Sequence, residues 1–187
     1  MNTTTRSTPD HMTGAELQTL REAAGLSRDA LAELAQVQAR TVKHWETRTG
    51  SAVPADVAAI VTRLSGWVLH TAREGLRQVQ QAPEKPAEVV LLRYREAAHL
   101  RPLDVAQGLR ADLHGAMVAR LVLDLATDGH RARVVWFDPV AYGEWLSAHA
   151  YTPDNEGSRA AWAAQAIEAQ AIPHAADQPP PSHTPGA

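Results

Sequence analysis

The chain has 187 residues, 44% of them hydrophobic, and a formal net charge of -3. That length allows one medium domain or two small ones with a real core, and the lack of cysteine excludes a disulfide framework and a thiolate zinc site, in keeping with a reducing, cytoplasmic setting. The mildly acidic balance argues against a general nucleic-acid coat protein, which carries a basic excess, but not against a protein with one local basic face.

No run of about 18 apolar residues is present, so no membrane contact is expected. The N-terminal MNTTTRSTPDH has no apolar stretch of the signal-peptide kind.

Residues 1–11 are polar and are expected to be disordered. From Thr13 to about Arg63 the pattern is that of a compact helical unit. Thr13 and Glu16 have the spacing of a capping box, Leu17, Leu20 and Ala24 form an apolar stripe, and Gly25 suits a stop. Ser27 caps a second short helix carrying Ala30, Leu31 and Leu34. The pattern breaks at Ala35-Gln36-Val37, and a third helix runs from about Ala39 to Thr47. Pro54 opens a long fourth helix reaching about Gln80, with Val57, Ile60, Val61, Leu64, Val68 and Leu76 on its buried side.

Beyond the Ala82–Pro86 linker the pattern changes. Val89–Leu92 reads as a short strand, Leu113–Asp128 as a helix, Arg133–Phe137 as a second strand, and Asp138-Pro139 as the start of another helix with Tyr142, Trp145 and Leu146. The two strands suit parallel pairing within one chain or pairing across a dimer. Residues 151–187 are rich in Ala, Pro, His and Gln and are expected to be mostly disordered, with a marginal helix over 158–171 around Trp162 and Ile167. The chain thus divides into 1–11, a helical unit at 12–82, a small α+β unit at 83–150, and a tail at 151–187.

The informative stretch is 26–46. Ala32, Val37, Val42 and Trp45 let two short helices pack across a tight turn. With Val42 and Trp45 turned inward, Arg40, Lys43 and His44 share the outward side of the third helix. Long donor side chains on one face suit a helix lying in the major groove, where arginine can bond the O6 and N7 of guanine. Gln38 and Thr41 sit near the helix start, within reach of bases or phosphates. Glu46 is expected to be structural, pairing with Arg21.

At Leu17, Leu20, Arg21, Gly25, Leu26, Ser27, Leu31, Ala32, Val37, Trp45 and Glu46 the chain resembles the Cro/C1-type helix-turn-helix regulators. Within that group, 16–21, Ala39-Arg40, Trp45-Glu46 and 53–57 resemble the anti-CRISPR-associated autorepressors and their YdiL-like relatives. Gln36 stands where many such motifs have glycine, so the turn must accommodate a side chain. The resemblance implies a mainly α protein: a four- to five-helix DNA-binding domain followed by an α+β unit that pairs two copies. It also implies a repressor of its own operon, with the key arginine falling on Arg40. Gln38, Ala39, Arg40, Thr41, Lys43, His44 and Arg48 are the expected DNA contacts, and the expected partners are double-stranded DNA and a second copy of the chain.

Two other functions fit a similar sequence. One is an antitoxin-type regulator whose tail, with Trp162 and Ile167, holds a partner protein. The other is an RNA-binding regulator. An enzyme is not expected, since no nucleophile elbow, phosphate-binding glycine loop or zinc-protease motif occurs. The nine histidines are never three or four apart, so neither a metal site nor a cofactor is expected. Trp136, Phe137, Tyr142 and Trp145 read as a domain or dimer core rather than a pocket.

Overall fold

The computed structural model describes residues 11–48, 50–149 and 153–171. Among the described residues helices dominate, with one two-stranded sheet, giving a helix-turn-helix domain followed by a small α+β region. The expectations for 1–10 and 172–187 lie outside the described residues.

Helix α1 (Gly14–Ala23) starts at the capping box: Glu16 N–H donates to the Thr13 hydroxyl at 3.2 Å and Thr13 N–H to the Glu16 carboxylate at 2.7 Å. It ends in a double backbone closure, Leu26 N to Arg21 O and Gly25 N to Glu22 O, with Gly25 at φ +72°. A side chain at Gly25 would also collide with the backbone of Asp112, 2.8 Å from an added Cβ. Helix α2 (Arg28–Leu34) is capped by the Ser27 hydroxyl. It closes in the same way, Val37 N to Ala32 O and Gln36 N to Glu33 O. Here Gln36 takes the left-handed conformation at φ +54°, which costs an L-residue about 1–2 kcal/mol. The turn therefore accepts its side chain by keeping it exposed. Helix α3 (Ala39–Thr47) follows. Leu17, Leu31, Val42, Val57 and Val61 join the first three helices to the start of α4 (Ala55–Gln80).

Helix α4 spans 26 residues, about 39 Å at 1.5 Å per residue. Its first half closes the helix-turn-helix core. Its second half, through Ala72, Leu76 and Val79, packs on Leu121 and Leu125 of α6 (Ala111–Thr127). Gly75 lets the two helices approach, since a Cβ there would meet Leu121 at 2.9 Å. The α1–α2 turn also rests on α6, because Ala24, Leu26, Ala30 and Val68 share a cluster with Leu113. The helical unit and the α+β unit therefore have a common apolar seam.

Strands β1 (Val89–Arg93) and β2 (Ala132–Trp136) pair in parallel within the chain, Val89 opposite Ala132 and Arg93 opposite Trp136. The short α5 (Pro102–Ala106) and the long α6 make the crossover, the kind of connection that parallel neighbours require. One face of the sheet, with Val89, Leu91 and Ala132, packs on α4 and α6. The other, with Val90, Leu92 and Val135, packs on α7 (Pro139–Ala148) and α8 (Glu156–Ala171).

The helix expected over 158–171 is α8, which starts two residues earlier, at Glu156. Trp162, Ala163 and Ile167 are buried and complete the core over the sheet. Trp162 meets Phe137 and Tyr142 edge-on at 5.7 and 5.9 Å between ring centroids. The entry into α8 is polar and fully tied. Arg159 grips Asp154 with two nitrogens at 2.8 and 3.0 Å and donates to the His99 carbonyl, while the Ser158 hydroxyl meets that of Tyr142 at 2.8 Å. Among the four aromatics read as core, Phe137 and Tyr142 are buried. Trp136 is instead 44% exposed, with the guanidinium of Arg95 4.2 Å from its ring centroid.

Replacing Trp162, which is 6% exposed, by alanine is expected to cost about 3–5 kcal/mol. Urea unfolding followed by circular dichroism measures it. A loss below about 1 kcal/mol would show that α8 is not part of the core.

Candidate nucleic-acid interface

Helix α3 presents its sides as the periodicity predicts. Val42 is fully buried, Trp45 packs at the edge of the core, and Glu46 points inward. Arg40, Lys43 and His44 are exposed, as are Gln38 before the helix and Arg48 after it, while Ala39 and Thr41 are half-buried on its flank. Gln38 is the N-cap residue but makes no side-chain cap bond. Its carbonyl accepts from the Thr41 N–H at 2.8 Å, and its exposed side chain is left out of the cap.

What holds this helix in place is a buried carboxylate. The Glu46 side chain has 0% exposure. Arg21 Nε, on a side chain 7% exposed, reaches its Oε1 at 2.6 Å, and Arg28 Nε reaches Oε2 at 2.6 Å. Arg21 also donates to the Leu26 carbonyl at 2.6 Å, so one guanidinium ties α1, the loop after it and α3 together. Burial by itself would raise the Glu46 pKa. The hydrogen bonds from Arg21 and Arg28, with their charges, outweigh it and hold the carboxyl below its usual value.

The sequence reading foresaw the Arg21–Glu46 pair but not Arg28. This side chain is 40% exposed and spends Nε on Glu46, which leaves the rest of its guanidinium open to solvent. Arg28, Arg40 and Lys43 line one open groove between the start of α2 and the start of α3. Glu22 and Asp29 lie on its other walls. The signal for Arg28 was its place one residue after the Ser27 cap. A first-turn arginine is ordinary on a helix surface, and only the fold brings it alongside residues 40 and 43.

Among the described residues no group of three or more His, Asp or Glu side chains is placed to hold a metal ion, and no helix is long and apolar enough to cross a membrane.

A family model described as a helix-turn-helix domain matches residues 13–65, less than a third of the chain. Its span runs from the N-cap of α1 into α4. No curated protein matches the chain at a significant level. Together with the geometry of α2 and α3, the match supports a DNA-binding regulator of the helix-turn-helix class.

Removing one partner of a buried ion pair strands the other charge, so Glu46→Ala is expected to cost about 3–5 kcal/mol at neutral pH. The depressed carboxyl contributes stability that is complete above its unfolded value near 4.5 and is lost as pH falls through the lower folded value. Melting temperatures between pH 7 and pH 3 should therefore drop more steeply below pH 4.5 for the parent than for Glu46→Gln. Parallel curves would contradict the assignment.

Proposed function

We propose that this chain is a sequence-specific transcriptional repressor that binds double-stranded DNA as a homodimer, with α3 in the major groove. The observation that carries the reading is the outward face of Arg40, Lys43 and His44 on a helix anchored from behind by a buried carboxylate. A recognition helix must offer donors to base edges from a rigid support, since positioning decides which bases they meet.

In this reading Arg40 takes a guanine edge, Lys43 and Arg28 take phosphates, and Gln38 and Thr41 act at the helix start. Ala39 offers a small apolar contact, and His44 and Arg48 extend the contact along the groove. One such domain reads few base pairs, so an inverted repeat with half-sites about one helical turn apart suits a two-fold dimer. The resemblance to Cro/C1-type regulators, and within them to the anti-CRISPR-associated autorepressors and YdiL-like proteins, suggests that the repeat lies upstream of the chain's own gene and that the α+β unit pairs the two copies. The antitoxin alternative relied on Trp162 and Ile167 as a partner-binding element. Both are buried in the chain's own core, so that observation no longer favours it.

Selection from a pool of random duplexes is expected to yield an inverted repeat. Recovery of no shared sequence would sink the proposal, and preferential capture of a messenger leader over the duplex would replace it with RNA regulation. On the selected duplex, Arg40→Ala should lose about 1–3 kcal/mol of specific binding, with stability changed by less than about 0.5 kcal/mol. Lys43→Ala should weaken all sequences alike and lower the salt slope by about 1. Equal binding by parent and Arg40→Ala would remove the helix from the interface.

The oligomeric state is checked separately. Sedimentation at low micromolar concentration should show a dimer, and a monomer that binds the full repeat no better than one half-site would contradict it.

A further inference from the structure

A cavity of about 590 Å³ lies where α4, α6, β1 and the start of α8 meet. Its size is within the range of small-molecule sites. Trp67 and Val79 of α4, Leu91 of β1 and Met117 of α6 give it apolar walls. Tyr94 and His114 add two more rings, tilted against each other at 4.8 Å between centroids.

Both arginines that line this cavity are already paired. Arg101 holds Asp104 at 2.8 Å, and Arg159 holds Asp154. The lining includes two arginines against three carboxylates, those of Glu74, Asp104 and Glu156. There is thus no surplus of positive charge to attract an anion.

His114 stands apart from these pairs. Its ring makes a tilted contact with Tyr94 but no hydrogen bond, and its Nδ1 is buried without a partner. Buried polar atoms are ordinarily satisfied; the Nδ1 atoms of His99 and His114 are not, and of the two only His114 lines the cavity. Burial, and then the nearby charge of Arg93, hold the His114 pKa down to about 4. The ring is therefore neutral at physiological pH, with one nitrogen able to accept a hydrogen bond and the other to donate one.

The cavity is also well placed to affect the N-terminal domain. Helix α4 lines it with Trp67 and Thr71 and, in its preceding turns, supplies Val57 and Val61 to the helix-turn-helix core. Helix α6 lines it with His114 and Met117 and supplies Leu113 to the cluster beneath the α1–α2 turn. Any ligand that alters the seam between α4 and α6 acts on the two elements that support the recognition helix.

We propose that this cavity is an effector site for an uncharged aromatic small molecule bearing one hydrogen-bonding group, bound against His114 and coupled through α4 and α6 to the DNA-binding domain. The coupling rests on the DNA-binding reading; the site does not.

The full chain is titrated with N-phenyl-1-naphthylamine, an uncharged aromatic amine whose emission rises in apolar surroundings. A saturable increase with one probe per chain is expected. Thr71→Trp, which fills the cavity from α4, should weaken binding by about tenfold or more, since a bulky ring takes the ligand's space. His114→Phe, which keeps the ring and removes both nitrogens, should weaken it by about fivefold. Circular dichroism confirms that each variant is folded, and His114→Phe decides the matter if Thr71→Trp is not. No saturable binding by the parent, or parent-like binding by the folded variants, overturns the site.

Probe-saturated protein is then compared with free protein on the selected duplex. A change in affinity of about fivefold or more is expected for coupled sites. Unchanged affinity overturns the coupling and leaves the site standing. A chain that binds the probe but no duplex overturns the DNA-binding reading alone.

Discussion

Everything that α3 can do depends on Glu46. Its carboxylate lies with no exposure between Arg21 and Arg28, accepting a hydrogen bond of 2.6 Å from the Nε of each, and that single residue joins the end of α3 to α1 and to the first turn of α2. Two charges removed from water are tolerable only when geometry and hydrogen bonding are nearly complete. Arg21 meets that condition by donating also to the Leu26 carbonyl, and Glu46 by engaging both of its oxygens. The arrangement admits one orientation of α3 relative to α1 and α2. An apolar contact at this place would allow sliding, because it has no direction.

The same economy governs the charges that face outward. The chain as a whole is acidic, at -3, yet Arg28, Arg40 and Lys43 converge on one groove. Association with phosphate responds to the local field more than to the sum over the molecule. Glu22 and Asp29 border that groove, so the favourable region is narrow and confined to the start of α3. Such a surface suits docking in one register better than coating of nucleic acid in general.

Helix α4 makes the two halves of the molecule mechanically one. It closes the helix-turn-helix core with Val57 and Val61, then passes into the α+β region, where Ala72 is fully buried against α6. Helix α6 reaches back to the α1–α2 turn, where Gly25 admits it and Arg110 meets Glu33 at 3.3 Å. Packed helices transmit displacement because interiors are dense and yield little. A ligand in a cavity along this seam would therefore press on the elements that support the face carrying Arg28, Arg40 and Lys43.

By itself the sequence determined what short-range physics decides. The Thr13–Glu16 box, the Ser27 cap, the stop at Gly25 and the inward positions Val42 and Trp45 of α3 were legible because caps and helical periodicity act over a few residues. The exposure of Arg40, Lys43 and His44 followed from the same spacing. Tertiary structure alone decided the rest. Strands β1 and β2 had no local signal for parallel pairing, since the choice rests on how α6 crosses between residues far apart in the chain. Helix α8 was underestimated because its alanine-rich stretch has little amphipathic contrast; Trp162 and Ile167 become core only once Phe137 and Tyr142 stand opposite them. Arg28 and the unpartnered His114 were invisible for the same reason. Burial, groove and cavity are properties of surfaces brought together, and no segment carries them before the chain has folded.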